Sequence, residues 1–150
     1  MRAGLLLALA APGPVAAAPL LGSCTITVLG AGVMVPDPAI GKLDSARPGG
    51  TAARIRVNAN STLCWVLGLL DCYRVSAPPP AVFQSSPPGG DADVAFSTTY
   101  RIDGGGTVPG AVQTEVLNGA HLVDVDLAAT RIAGVFAAGS YRAEVTVRCE

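Results

Sequence analysis

The last stretch of the sequence, residues 138–150, contains an unbroken alternation of apolar and polar side chains. Because successive side chains on a β-strand point to opposite faces, this pattern predicts an extended strand with one buried face and one wet face. Such a strand belongs to an antiparallel sheet that is covered on one side. The apolar positions all share one parity, and they are Tyr141, Ala143, Val145, Val147 and Cys149.

The composition favours an all-β fold with many short strands and turns. Only 14% of the residues are charged and 5% are aromatic, whereas the chain contains 18 glycines and 12 prolines. A sequence with so few charged residues can supply few of the charged side chains that cover the solvated faces of helices. A chain of 150 residues has room for one domain with a real core. The 10 basic and 11 acidic residues nearly balance, so no basic patch points to a nucleic-acid partner.

The first residues are typical of a secretory signal peptide. Arg2 precedes a short apolar run, and Pro12 breaks that run. Small residues permit cleavage after Ala17, and a cut one residue later would leave a proline first. We therefore predict a signal peptide at 1–17, a single mature domain at 18–150, and a secreted protein of the periplasm or cell surface. No later run approaches the roughly 20 apolar residues of a membrane span.

Several other segments show the alternation of a strand. Asn118-Gly119 is a strong hairpin signal, so the last three of these segments are predicted to pair as a meander. With the final stretch, they predict a sandwich of about six or seven antiparallel strands. The segments are residues 24–30, 51–60, 94–102, 112–116 and 122–127.

Three stretches are less regular. Residues 31–50 predict an irregular connection with brief pairing near 33–35. Residues 63–75 are apolar without alternation, so a hairpin and a short helix both remain open. Residues 76–91 are rich in proline and glycine and predict a surface loop. A linker between two domains is the alternative for 76–91, but neither flank has enough sequence for a core of its own.

The four cysteines predict two disulfides in an exported protein, because their number is even and the compartment is oxidising. Cys24 begins the first strand and Cys149 ends the last, both on the apolar parity, so antiparallel neighbours would bring them together. Cys64 and Cys72 then form the local pair. A zinc site is the alternative, but no C-x-x-C spacing is present and His121 is far from every cysteine.

No set of residues has the pattern of a catalytic or metal site. His121 follows a predicted turn and no serine lies in a nucleophile motif, so we expect a solvated side chain. The acidic pairs, Asp124 with Asp126 and Asp91 with Asp93, predict solvated surface rather than calcium ligands or an acid-base pair. The run Gly104–Gly106 is typical of a flexible turn. We expect the side chain of Trp65 to be buried in the core. We expect no cofactor and no catalytic residue.

The two ends of the mature chain resemble a known family. The opening Cys24-Thr-Ile-Thr-Val and the ending Gly139-Ser-Tyr-Arg-Ala-Glu-Val-Thr-Val-Arg-Cys149 resemble the exported bacterial proteins of the spore coat protein U type, which are relatives of chaperone-usher pilins. The resemblance implies an immunoglobulin-like β-sandwich. It further implies a structural, non-enzymatic subunit of a surface coat or pilus-like fibre, with a periplasmic chaperone, an usher and like subunits as partners.

The resemblance also supplies two alternatives. Pilins tie their first strand to their second, which implies the rival pairing of Cys24 with Cys64 and Cys72 with Cys149. Only residues 18–23 precede the first cysteine, too few for a pilin-type extension, so a coat-type or terminal subunit fits better. The alternative function is a monomeric secreted binding module for carbohydrate or a surface partner.

Overall fold

The protein is nearly all-β, as its composition predicts. A computed structural model describes residues 22–66 and 72–150, apart from the side chains of residues 65 and 66. Within this part the helix is α1 (Thr62–Val66). The strands are β1 (Gly22–Gly30), β2 (Val35–Pro36), β3 (Lys42–Asp44), β4 (Ala53–Ser61), β5 (Tyr73–Ser76), β6 (Val94–Ile102), β7 (Val108–Pro109), β8 (Thr114–Val116), β9 (Gly119–Arg131) and β10 (Arg148–Cys149).

The strands form two antiparallel sheets. The larger sheet has seven strands in the order β1-β4-β9-β3-β2, with β6 on the other side of β9 and β7 beside β6. The smaller sheet has three strands in the order β10-β5-β8. The 13-residue strand β9 organises the larger sheet, because β4 and β3 share one of its edges and β6 follows the other.

The main core lies between the two sheets and takes residues from both. Val57, Tyr100 and Val123 come from the larger sheet, and Val75 and Val116 from the smaller one. The inner faces of β4 and β9 follow the period of two that the sequence shows, since alternate residues there are buried. These buried positions fix the register of the strands, because a slip of one residue would expose them.

A second core cluster is aromatic. Phe83 lies with its ring centroid 4.8 Å from that of Phe96 and 5.1 Å from that of Tyr141, and Phe136 also belongs to this cluster. Phe83 is buried although it belongs to residues 76–91, which the sequence predicts to be a surface loop. That interpretation needs correction, because the segment buries an aromatic anchor and also pairs through Ser85 with Arg142.

The strands predicted at 24–30, 51–60 and 94–102 are confirmed as β1, β4 and β6. The predicted meander is wrong, because β8 pairs with β5 in the smaller sheet while β9 lies in the larger one. The Asn118 side chain explains this difference. Its amide exchanges two hydrogen bonds with the backbone of Ser61, at 2.7 and 2.8 Å, and so ends the β4–β9 ladder instead of forming a two-residue turn.

The irregular stretches are only partly as predicted. Residues 31–50 contain the predicted brief pairing, a bridge from Val33 to Thr51, and also β2 and β3, which the sequence does not reveal. Residues 63–75 include most of α1 and the start of β5. Residues 67–71, the Trp65 side chain and the predicted signal peptide lie outside the described part of the chain.

The final stretch differs most from its prediction. Alternate residues from Tyr141 to Cys149 are partly buried, which agrees with an extended segment facing the core. Ladder pairing, however, is limited to its two ends: Arg142 bonds Ser85, and β10 pairs with β5. Residues 143–147 between these ends belong to no strand.

Candidate functional site

Two side chains of β1 point toward the interior but are not covered. Ile26 and Val28 lie opposite Val57 and Ile55 of β4, and partners in an antiparallel ladder share a face. Val57 is completely buried and Ile55 is 7% exposed, whereas Ile26 is 38% and Val28 is 71% exposed. The inner face of the sheet therefore loses its cover at β1.

An open groove with a volume of about 880 Å³ lies at this place. Its floor is the inner face of the larger sheet, which contributes Leu43, Ile55, Val125 and Leu127. Val28 and Gly30 form one wall. The opposite wall is residues 143–147, whose side chains at 143, 145 and 147 point into the groove.

One end of the groove is lined by residues 136–139 and 141, and we call this end the mouth. Phe136 and Tyr141 lie there together with the small residues Ala137, Ala138 and Gly139. The mouth is part of the aromatic cluster, because the ring centroids of Phe136 and Tyr141 are 5.3 Å apart. Most of the residues that line the groove are apolar, and its charged lining residues are Arg142 and Glu144.

One wall of the groove is the edge of strand β1, and the other is the extended segment 143–147, which belongs to no strand. In the described part of the chain β1 pairs with β4 alone, so its other edge is unpaired. Arg142 and Glu150 exchange backbone hydrogen bonds with Ser85 and Arg74 on the side of the smaller sheet. Because backbone groups of alternate residues point to opposite edges of a strand, those of residues 143, 145 and 147 point toward the groove.

Neither edge has the features by which proteins usually protect unpaired strands. Edges are commonly covered, interrupted by proline, or guarded by inward-pointing charges. The β1 sequence Gly-Ser-Cys-Thr-Ile-Thr-Val-Leu-Gly contains no charge and no proline, and residues 143–147 contain only Glu144, which is exposed at the rim. The two edges can therefore accept hydrogen bonds from, and donate them to, an added backbone.

The Cys24–Cys149 disulfide joins the two walls just beyond the groove lining, which ends at Val28 in β1 and at Val147 in the final segment. It joins β1 to β10 across the two sheets, with a Cα–Cα distance of 6.3 Å. Cys64–Cys72 is the second disulfide, so the predicted pairing is confirmed and the rival pairing is wrong. The sequence argument for Cys24 with Cys149 needs one correction, because their strands lie in different sheets and not side by side in one ladder.

His121 lies away from the groove, at one end of the larger sheet. Its Nδ1 atom is 2.7 Å from an Asp103 carboxylate oxygen and its Nε2 atom is 2.9 Å from the Leu117 carbonyl oxygen. Its side chain is only 18% exposed, so the expectation of a solvated histidine is wrong. Both partners are acceptors, so the protonated imidazolium, which donates from both ring nitrogens, satisfies both contacts.

This arrangement shifts the pKa of both groups. Partial burial lowers the pKa of His121, but the hydrogen bonds to Asp103 and to the Leu117 carbonyl and the charge of Asp103 outweigh burial and raise it above 6.5. The hydrogen bond from His121, with that from the Leu122 amide, lowers the pKa of Asp103. The pair fastens the turn after β6 to the start of β9.

We expect the stability of the protein to fall as the pH rises above about 6.5 and through the folded pKa of His121. A group whose pKa is raised by folding contributes its full stabilisation below its unfolded pKa, near 6.5, and loses it as the pH passes its folded pKa. Urea unfolding across this window should show the decline in the native chain and a flatter profile in His121→Gln. A pH profile identical in the two proteins would contradict the ion pair.

The remaining candidate residues have structural partners. Asp124 accepts a 2.8 Å hydrogen bond from Arg54 of β4, and Asp126 accepts bonds from Ser45 at 2.8 Å and Arg101 at 3.4 Å. The two aspartates lie on the face of β9 that is opposite to the buried face of Val123 and Val125, as predicted. They are ion-paired across strands rather than simply solvated.

The other two predicted sites have no partners that suggest chemistry. Asp91 and Asp93 are exposed, and Gly104 with a φ of 71° forms the predicted turn. Within residues 22–66 and 72–150 no group of three or more histidine, cysteine, aspartate or glutamate side chains could hold a metal ion.

The groove is the feature that the sequence prediction misses. Its wall residues carry a usable signal, since β1 and residues 143–147 both alternate cleanly yet lack charge and proline at their edges. Among the described residues, no helix has the length and apolar character to cross a membrane. Comparisons of this chain with protein-family models, with curated proteins and with solved structures find no match.

Proposed function

We propose that this protein is an exported, non-enzymatic structural subunit of a bacterial surface coat or pilus-like assembly. In this proposal its sheets form an immunoglobulin-like sandwich with one strand missing, and an extended segment of another polypeptide fills the groove. The observation that carries the proposal is a largely apolar groove between the unpaired edge of β1 and the extended segment 143–147, which has no ladder partner in the described part of the chain. Strand addition uses such edges, with main-chain hydrogen bonds giving affinity and side-chain positions giving specificity.

The exposure of the β1 side chains supports this proposal. Covering a valine or isoleucine side chain fully contributes about 1.5–3 kcal/mol, and Val28 has 71% of its surface still to cover. An inserted strand would cover Val28 from the open side. It would also pair the backbone groups of residues 143, 145 and 147. Binding of a partner strand would therefore both bury apolar surface and satisfy backbone hydrogen bonds of the isolated chain.

The proposed cellular location is supported by the disulfides, and the proposed partners come from the family resemblance. Two disulfides are compatible with an extracellular or periplasmic location. A periplasmic chaperone, an usher and like subunits are the partners that the resemblance to coat and pilin proteins implies.

We expect Val28→Asp to abolish assembly while leaving the isolated chain folded. Val28 is 71% exposed, so the substitution should change the free energy of unfolding by less than about 0.5 kcal/mol. A strand that fills the groove would bury this carboxylate without a partner, which should weaken strand binding at least about tenfold. Light scattering of the concentrated chain and urea unfolding measure the two effects.

Thr27→Asp is the matched control, because Thr27 is the neighbouring residue of β1, is exposed, and faces away from the groove. It should leave assembly unchanged. Hydrogen exchange gives a second measurement: the amides of residues 143, 145 and 147 should exchange rapidly in the isolated chain and become protected on assembly. Equal loss in both variants, or full protection of these amides in the isolated chain, would rule out strand addition at the groove.

A second cavity favours the alternative of a secreted binding module for carbohydrate. This cavity of about 330 Å³ is mostly polar and lies between β6, β9 and the neighbouring loops, with Thr51, Thr99, Arg101, Thr107 and Asp126 among its lining. Hydroxyl, guanidinium and carboxylate groups together suit a neutral polyol. Titration with monosaccharides tests this alternative, and Arg101→Ala should then remove binding while Val28→Asp preserves it.

A further inference from the structure

The Cys24–Cys149 disulfide joins the two walls of the groove. Neighbouring strands of a sheet lie about 4.8 Å apart, so a strand placed between two others needs them about 9.6 Å apart. The Cα atoms of Cys24 and Cys149 are only 6.3 Å apart. No backbone can pass between the walls at this point while the disulfide is intact.

The groove lies to one side of the disulfide. β1 runs away from Cys24, whereas the final segment runs toward Cys149, so the two walls are antiparallel. Val28 and Gly30 on one side and residues 143–147 on the other line the open part of the groove. The length available to a guest strand is therefore the part between the disulfide and the mouth at residues 136–141.

The charge of the lining restricts the guest further. Arg142 and Glu144 are the charged residues of the groove lining, and both are exposed at its rim, where Glu144 accepts a hydrogen bond from Gln84. An inward-facing charge on the guest would lose its water and gain no ionic partner. The walls alternate, so the guest must place uncharged apolar side chains at every second residue.

We propose that the Cys24–Cys149 disulfide is a stop that limits the guest strand to about six residues. The guest is an extended segment of another polypeptide with uncharged side chains at alternate positions, and it enters from the mouth and ends before the disulfide. This proposal rests on the proposed function, since it requires that the groove accept a strand. The disulfide thereby sets both the length and the register of the interaction.

Peptides of increasing length test the stop. The probes are capped peptides of alternating valine and threonine, about five to eleven residues long, with lysines outside either end for solubility. For the oxidised chain we expect the Kd to fall with peptide length up to about six residues and then to change less than about twofold. For the double variant Cys24→Ser with Cys149→Ser we expect longer peptides to bind at least about fivefold tighter still. Cys64→Ser with Cys72→Ser should behave like the oxidised chain.

The outcomes separate this inference from the proposed function. If no peptide binds any form, strand addition itself is wrong. If peptides bind the oxidised chain and tighten steadily with length, the groove accepts a strand but the disulfide is no stop.

A second measurement needs no variant, because the double variant could be too unstable to study. A photo-cross-linking residue at the leading end of a long peptide should label residues near Val147 or Ile26 of the oxidised chain. Labelling of Gly22 or Glu150, beyond the disulfide, would overturn the proposal.

Discussion

Replacing Cys24 and Cys149 together by serine is expected to lower the free energy of unfolding by about 5 kcal/mol. The bond joins residues 125 apart in sequence, and chain entropy predicts a stabilisation of about 5 kcal/mol for a loop of that length. This is comparable with the whole stability of a small domain, about 5–15 kcal/mol. Urea unfolding of both oxidised proteins, followed by circular dichroism, measures the difference.

The second disulfide provides the control for this prediction. Cys64 and Cys72 are 8 apart in sequence, so Cys64→Ser with Cys72→Ser should cost only about 2.5 kcal/mol. Double variants are preferable to Cys149→Ser or Cys72→Ser alone, because a single substitution leaves a reactive thiol. Equal losses in the two double variants would contradict the account based on loop length.

Loss of the Cys24–Cys149 disulfide should also loosen the structure near the bond. β10 is held to β5 by the pairs Arg148 with Ser76 and Cys149 with Val75. Residues 143–147 before it have no ladder partner in the described part of the chain. Without the disulfide, the wall of the groove is fastened at Arg142 and by this short pairing, so hydrogen exchange should rise first along the final segment.

The strands that the sequence predicts well are those covered by the core along one whole face. In β4 the residues at 55, 57 and 59 are buried while the intervening ones are exposed, and the same alternation is present in the sequence. The pattern is local, so it needs no knowledge of the neighbouring strands. The bounds of β6 are likewise close to those predicted.

The assignment of strands to sheets could not be obtained in this way. β8 and β9 are separated by Leu117 and Asn118, and the sequence predicts a hairpin. The hydrogen bonds of Asn118 to Ser61 are made to a residue 57 positions away, and no local pattern reports them. The chain therefore crosses from one sheet to the other where the sequence predicts a turn back.

The groove was hidden for a related reason. Parity shows that Ile26, Val28 and the side chains at 143, 145 and 147 face inward, but it does not show whether anything covers them. A strand whose inner face is covered by the core and a strand whose inner face is still uncovered show the same alternation of apolar and polar residues. Only the exposed fraction of Val28, 71%, distinguishes the two cases.

Replacing Tyr100 by phenylalanine should cost about 1–3 kcal/mol, and replacing it by alanine about 5 kcal/mol. Tyr100 belongs to β6 of the larger sheet and is completely buried. Its hydroxyl oxygen is 3.0 Å from the Val75 carbonyl oxygen, 2.8 Å from that of Val112 and 2.6 Å from the Thr114 hydroxyl. The side chain thus ties the larger sheet to both β5 and β8 of the smaller one.

The chemistry of the hydroxyl explains the expected size of the effect. A tyrosine hydroxyl donates one hydrogen, here to the carbonyls, and can accept one from Thr114. Phenylalanine keeps the ring in the core but leaves these buried groups without that partner, and the desolvation cost of such groups is about 1–3 kcal/mol. Alanine adds the loss of the ring and the cavity that it leaves. Urea unfolding of the three proteins separates the hydroxyl from the ring.

Tyr141→Phe is the matched control for Tyr100→Phe. The Tyr141 hydroxyl donates a 2.9 Å hydrogen bond to the Ala137 carbonyl at the mouth of the groove, where water can replace it. The same chemical change should therefore cost less than about 0.5 kcal/mol there. If the two phenylalanine variants lost equal stability, the hydroxyl of Tyr100 would not join the sheets, and the ring alone would account for its place in the core.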